Sequence, residues 1–100
     1  MKGFKMRQQS RVISAFLARS AARERNDRTD GQTLYFWTSS IARHTADGIE
    51  LFHHGHATQS TMRRLNEIAF ALGHGKPFNI SKGAVHFKGE PLIYPVTLSR

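Results

Sequence analysis

Three histidines stand within four positions in "ELFHHGHATQST", as His53, His54 and His56, and no other stretch of the chain concentrates groups able to ligate a metal or move a proton. Zinc would need three or four ligands converging at ~2.0–2.1 Å from each imidazole nitrogen. Neighbours along a strand point to opposite faces, so His53 and His54 could not chelate together while the strand pairs. His54 and His56 could, but they need a third ligand, and His44 and His74 are badly placed to supply one. The chain has no cysteine, no H-E-x-x-H and no D-x-D. The expectation is therefore no metal and no cofactor, with His54 packed beside Ile41 and His56 in the turn that feeds a helix cap.

Other catalytic arrangements fare no better. Glu50 and His53 would lie on opposite strand faces, which removes a carboxylate–imidazole general base. Glu67, Glu90 and Asp47 have no evident partner, Ser39 and Ser40 lack a G-x-S-x-G setting, and no glycine-rich loop opens a helix to cradle phosphate. The reading is a protein that is not an enzyme.

Arginine is the residue type that stands out. Fifteen Lys and Arg against seven Asp and Glu give +8, and residues 1–28 hold eight of those cations with two carboxylates. Such a field draws acidic partners. Val12, Ile13, Phe16, Leu17, Ser20 and Ala21 fall on one side of a helix expected over about residues 9–25, capped by Ser10. Arg7, Arg11 and Arg25 fall opposite, preceded by Lys2 and Lys5, and the polar run 26–31 stops the helix. The basic start and short apolar stretch imitate an export signal. That stretch is seven residues, includes Ser14 and is closed by Arg19, so an internal helix and a cytoplasmic location are expected. No apolar run approaches the ~18 residues of a membrane span.

The rest of the chain is read as a hairpin–helix–hairpin core over 31–100, forming one small domain with the basic segment 1–30. Asp47-Gly48 suits a two-residue type I′ turn and would set a hairpin over 33–54. In that register Ala46 faces Ile49, His44 faces Leu51 and Arg43 faces Phe52. Leu34, Phe36, Ala42, Ile49 and Leu51 share one face; Tyr35, Trp37, Ile41 and Phe52 share the other. Met62, Leu65, Ile68, Ala69 and Leu72 make the stripe of a helix over 60–72, with Arg63, Arg64 and Glu67 opposite and Gly73 ending it. Phe70 lies about 20° from Arg63 around that axis, on the polar side. It is expected to be covered as second-layer core, or else exposed for a protein partner. A final hairpin turning at Lys82-Gly83 pairs Phe78 with Phe87 and Ile80 with Val85. Leu92, Tyr94, Val96 and Leu98 alternate, but Pro91 and Pro95 confine that segment to an edge strand or an extended arm. The fold class expected is α+β.

Ile41-Ala42 at the end of an aromatic strand, Asp47-Gly48, Gly55, Thr58, Ser60-Thr61 and Leu65-Asn66 form an "I-A … D-G … G-x-x-T-x-[ST]-T … L-N" pattern. It resembles that of small phage-encoded proteins of unknown function. The likeness spans Leu34 to Ile68 and leaves 1–30 and 74–100 outside. It implies a phage or prophage accessory protein acting in a bacterial host cytoplasm, with no activity attached.

Two functions fit these residues. The first is nucleic-acid binding, to DNA or RNA, through Lys5, Arg7, Arg11, Arg25, Arg63 and Arg64, with Tyr35 or Trp37 stacking on bases if their face is open. The second is docking to an acidic host protein, such as a polymerase, nuclease or defence complex, as an inhibitor or modulator, with Phe70 at the interface. The resemblance supplies that second expectation.

Overall fold

A computed structural model describes residues 10–100; Lys2, Lys5 and Arg7 lie outside the described residues. The chain is α+β, with two helices and nine strands in two antiparallel sheets among the described residues.

Helix α1 (Arg11–Leu17) begins as expected, the Ser10 hydroxyl accepting from the Ile13 amide. It does not run to residue 25. Arg19 adopts φ 60°. The Arg19 amide donates to the Phe16 carbonyl at 3.0 Å and the Ser20 amide to the Ala15 carbonyl at 2.7 Å. This bonding pair is the Schellman stop, which ordinarily uses glycine at the left-handed position. With arginine there the stop is invisible in the sequence, and Ser20 and Ala21 match the helical stripe by coincidence. Residues expected in the helix instead form strand β1 (Ala21–Glu24), and the expected polar stop forms β2 (Asp27–Asp30), joined through Arg25-Asn26.

β3 (Thr33–Phe36), β4 (Ser39–Thr45) and β5 (Gly48–Leu51) continue the meander. The aromatic segment is thus two strands, not one, because the chain reverses at Trp37-Thr38 between Phe36 and Ser39. A bulge opposite Leu34–Tyr35 then leaves Ile41 unpaired, so Ile41 and Ala42 both turn inward and are both buried. Trp37 and Ile41 therefore do not share a face as the uninterrupted strand implied.

The Asp47-Gly48 hairpin forms, but in another register. Thr45 pairs with Gly48 and His44 with Ile49, which makes Ala46-Asp47 the two-residue loop. The offset preserves faces, so Leu34, Phe36, Ala42, Ile49 and Leu51 all reach the core. Gly48 is needed for another reason. Strand β9 (Val96–Leu98) pairs with β5, and a Cβ at Gly48 would sit 2.1 Å from the Leu98 carbonyl oxygen. β9 completes a six-stranded sheet ordered β1-β2-β3-β4-β5-β9. The proline-flanked tail is thus an edge strand.

Helix α2 (Gln59–Ala71) is capped by Thr58 and buries Met62, Leu65, Ile68 and Ala69. Together with α1 these side chains form the core over the large sheet. The second sheet, β6 (Phe78–Ser81), β7 (Ala84–Phe87) and β8 (Glu90–Pro91), turns at Lys82-Gly83 with Phe78 opposite Phe87 and Ile80 opposite Val85, as expected. Asn66 ties it to α2: its amide donates to the Phe78 carbonyl and accepts from the Phe78 amide, each at 2.8 Å. The Ser10 amide donates to the Glu67 carboxylate, joining α1 to α2.

A candidate nucleic-acid interface

Two turns meet at one end of the large sheet. The β1–β2 turn carries Arg25 and Asn26, the β3–β4 turn carries Trp37 and Thr38, and the Trp37 amide donates to the Asn26 carbonyl at 2.8 Å. Between them lies a cleft of about 270 Å³ lined by Arg23, Arg25, Asn26, Arg28 and Trp37, with Asp27 and Thr38 completing the wall.

Arg23 and Arg28 are direct cross-strand partners. Like charges so placed oppose strand pairing, and Arg25 adds a third cation from the connecting turn. All three are exposed, and among the described residues none has a carboxylate within ion-pair distance. The Arg28 guanidinium sits 4.1 Å from the Tyr35 ring centroid, which holds it against the sheet without neutralising it.

The one carboxylate in the cleft wall is already taken. Arg64 reaches down from α2 and grips Asp27 with both arms, Nε to Oδ1 at 2.6 Å and the second terminal nitrogen to Oδ2 at 3.0 Å. It also donates to the Ser60 carbonyl at 2.8 Å and lies 3.8 Å from the Phe36 ring centroid. The expectation that Arg64 lies on the free polar side of its helix is thereby corrected. Helical angle places a side chain's root, and a long guanidinium can bend back to a partner on another element.

The remaining expected site residues divide. Arg11 approaches the β1–β2 hairpin, its guanidinium 3.8 Å from the Glu24 carboxylate and 3.4 Å from the Arg23 carbonyl. Arg25 is at the cleft, but from a turn, not a helix. Arg63 is exposed and lines a different hollow with Asn66, Glu67 and Lys76. Phe70 is 56% exposed, so it is not second-layer core. The Lys76 ammonium lies 5.8 Å from its ring centroid. Sequence reasoning assigns no role to Arg23 or Arg28. Both belong to the "RERNDR" run, whose alternation of arginine around an Asn turn is the signal that could have shown a hairpin.

The histidine cluster is built differently from the strand end expected. β5 stops at Leu51, so the face-alternation argument does not reach His53. The Gly55 amide donates to His53 Nδ1 at 3.1 Å, leaving Nε2–H to donate to the Leu92 carbonyl at 3.2 Å. His54 is exposed with φ 47° and leans edge-on against Phe52, 5.0 Å between centroids. Among the described residues no group of three or more histidines and carboxylates is placed to hold a metal ion.

His44 is the histidine that is buried, at 2% exposure. Its Nε2 lies 2.7 Å from the Phe16 carbonyl and must donate to it, while Nδ1 accepts from Arg100 at 3.1 Å. Burial pushes its pKa below 6.5, the Phe16 carbonyl opposes that, and the charges of Arg19 and Arg100 add to the lowering. His44 joins α1, the sheet and the C-terminal arginine as a neutral ring; it does not face the arginine cleft.

No protein family, curated protein or solved structure matches this chain.

Proposed function

We propose that this chain is a small basic, non-enzymatic protein that binds nucleic acid through the end of its sheet, where the β1–β2 and β3–β4 turns meet. The observation that carries this reading is the convergence of Arg23, Arg25 and Arg28 on one cleft, with no carboxylate partner among the described residues. Three guanidiniums held together, two of them directly opposed across a hairpin, favour an anion that spans them. A phosphate backbone does this and releases its counterions in doing so. Arg64 supports the arrangement by removing the Asp27 charge from the cleft, not by touching phosphate itself.

The test is fluorescence anisotropy with labelled random-sequence DNA and RNA at low salt. Binding by the wild type, lost in the Arg23→Glu, Arg25→Glu, Arg28→Glu triple variant with an unchanged melting curve, supports the proposal. No binding of either polymer overturns it.

Docking to an acidic protein is the second reading. Exposed Phe70 favours it, because aromatic side chains are enriched at protein interfaces. Phe70→Ala should leave nucleic-acid binding intact if the first reading holds.

A further inference from the structure

Trp37 is an anomaly that neither the core nor turn chemistry explains. It occupies the first position of the two-residue β3–β4 turn with φ 59°, in the left-handed region where glycine, asparagine or aspartate is ordinary. A bulky aromatic there carries a backbone cost. That cost is offset by packing when the ring is buried, but this ring is 57% exposed. Its contact with Phe36 is distant, 6.3 Å between centroids. Arg19, Arg25, His54, Lys82 and Lys88 share a positive φ and are exposed, but their side chains are polar and at home in water. Trp37 is the large apolar side chain so placed among the described residues, and an unburied strained aromatic points to a ligand. What surrounds the ring says which ligand: Arg23, Arg25 and Arg28 line the same cleft.

We infer that the ligand is single-stranded nucleic acid, with one unpaired base stacked on the Trp37 indole and the adjoining phosphates held by Arg23, Arg25 and Arg28. This rests on the nucleic-acid reading above and narrows it to a strand type. A duplex keeps its base faces inside the stack and offers an exposed indole nothing but its ends. An unpaired strand offers a base face beside each phosphate, and an aromatic ring next to a basic track is how such strands are held without regard to sequence. The hairpin tip is suited to this in another way. Both turns are at the sheet's end, so a strand can run across the cleft they line without displacing any paired strand.

The chain contains a single tryptophan, so its own fluorescence reports on this contact. Titration with an oligothymidylate should quench the emission and shield the indole from acrylamide. The matching duplex should bind more weakly and leave the emission unchanged. Trp37→Ala should weaken single-strand binding roughly 5–150-fold, the range that loss of one stacked base implies, and Trp37→Phe should fall between. Trp37→Gly adds a readout that a merely structural role would not give. It should melt no lower than wild type, since glycine fits this backbone, yet bind as poorly as the alanine variant. Duplex binding as tight as single-strand binding, or saturation without quenching, overturns the inference while leaving nucleic-acid binding standing. Failure to bind either form overturns both. If any variant melts early, the wild-type quenching and acrylamide shielding still decide the question.

Discussion

Removing the Arg64 side chain should be among the most damaging single changes outside the apolar core. Helical position alone places Arg64 opposite the buried stripe, where truncation would cost under about 0.5 kcal/mol. The structure reverses this. The side chains of Arg64 and Asp27 are only 14% and 16% exposed, and the pair is two-armed, at 2.6 and 3.0 Å. Breaking a fully buried pair by removing one partner costs about 3–5 kcal/mol, because the other charge stays behind unpaired. Partial exposure lets water reach Asp27 and lowers that figure. Loss of the Phe36 contact adds roughly 1 kcal/mol back to the cost. Arg64→Ala should therefore cost about 3 kcal/mol, seen as a fall in melting temperature of roughly 12–24 °C for a domain of this size. The assay is urea unfolding of Arg64→Ala, Asp27→Ala and the double variant. The double variant should cost clearly less than the two singles added together, since neither charge is then stranded. If Arg64→Ala is too unstable to measure, Arg64→Lys, which keeps the charge but loses the fork, serves in its place. A cost under about 0.5 kcal/mol for Arg64→Ala, or strict additivity with Asp27→Ala, would mean that the pair is no more than a surface contact.

Leu65 is fully buried at the centre of the α2 stripe, and Leu65→Ala should cost about 2–5 kcal/mol in the same unfolding assay. His44 has a pKa lowered below 6.5, so below that pH the unfolded chain binds its proton more readily than the folded one. Its contribution is complete above pH 6.5 and is lost as the pH falls from there toward the folded value; a urea midpoint tracked into acid should show this, and His44→Asn should remove that part of the slope. Gly48→Ala would drive a methyl group into the Leu98 carbonyl and should strip β9 from the sheet. Amide exchange should then show lost protection at the β5–β9 ladder, and unchanged protection would contradict the close approach.

The parts of the fold legible in the sequence are those whose local chemistry and tertiary role agree. Thr58 caps and Met62, Leu65 and Ile68 stripe a helix, and that helix lies where the pattern puts it. Lys82-Gly83 turns a hairpin with the expected pairs. The pattern fails where an unusual residue takes a glycine's place. Arg19 closes α1 from a left-handed conformation, Arg25 turns β1 into β2, and Trp37 turns β3 into β4. None announces a turn, so the periodicity extends the helix too far and merges two strands into one. Gly48 misleads in the opposite direction: it reads as a turn residue, but it is a strand residue admitting a neighbour's backbone. The same substitutions hide the candidate site. Its cations and its tryptophan are carried by the hairpins that sequence pattern does not resolve; of the expected helix back, among the described residues, Arg25 lines the cleft from a turn and Arg11 lies nearby.

Guanidiniums at the meeting of two turns are proposed to hold phosphates. The measurement that decides this is the salt dependence of binding to a single-stranded oligonucleotide, wild type against the Arg23→Glu, Arg25→Glu, Arg28→Glu variant. Each phosphate neutralised on a single strand contributes about −0.7 to the slope of log affinity against log salt. The wild type should show a slope of roughly −2 or steeper, from three or more contacts, and the residual binding of the variant should be nearly independent of salt. A slope that is equal in the two proteins would contradict it, because the phosphates would then be held somewhere else.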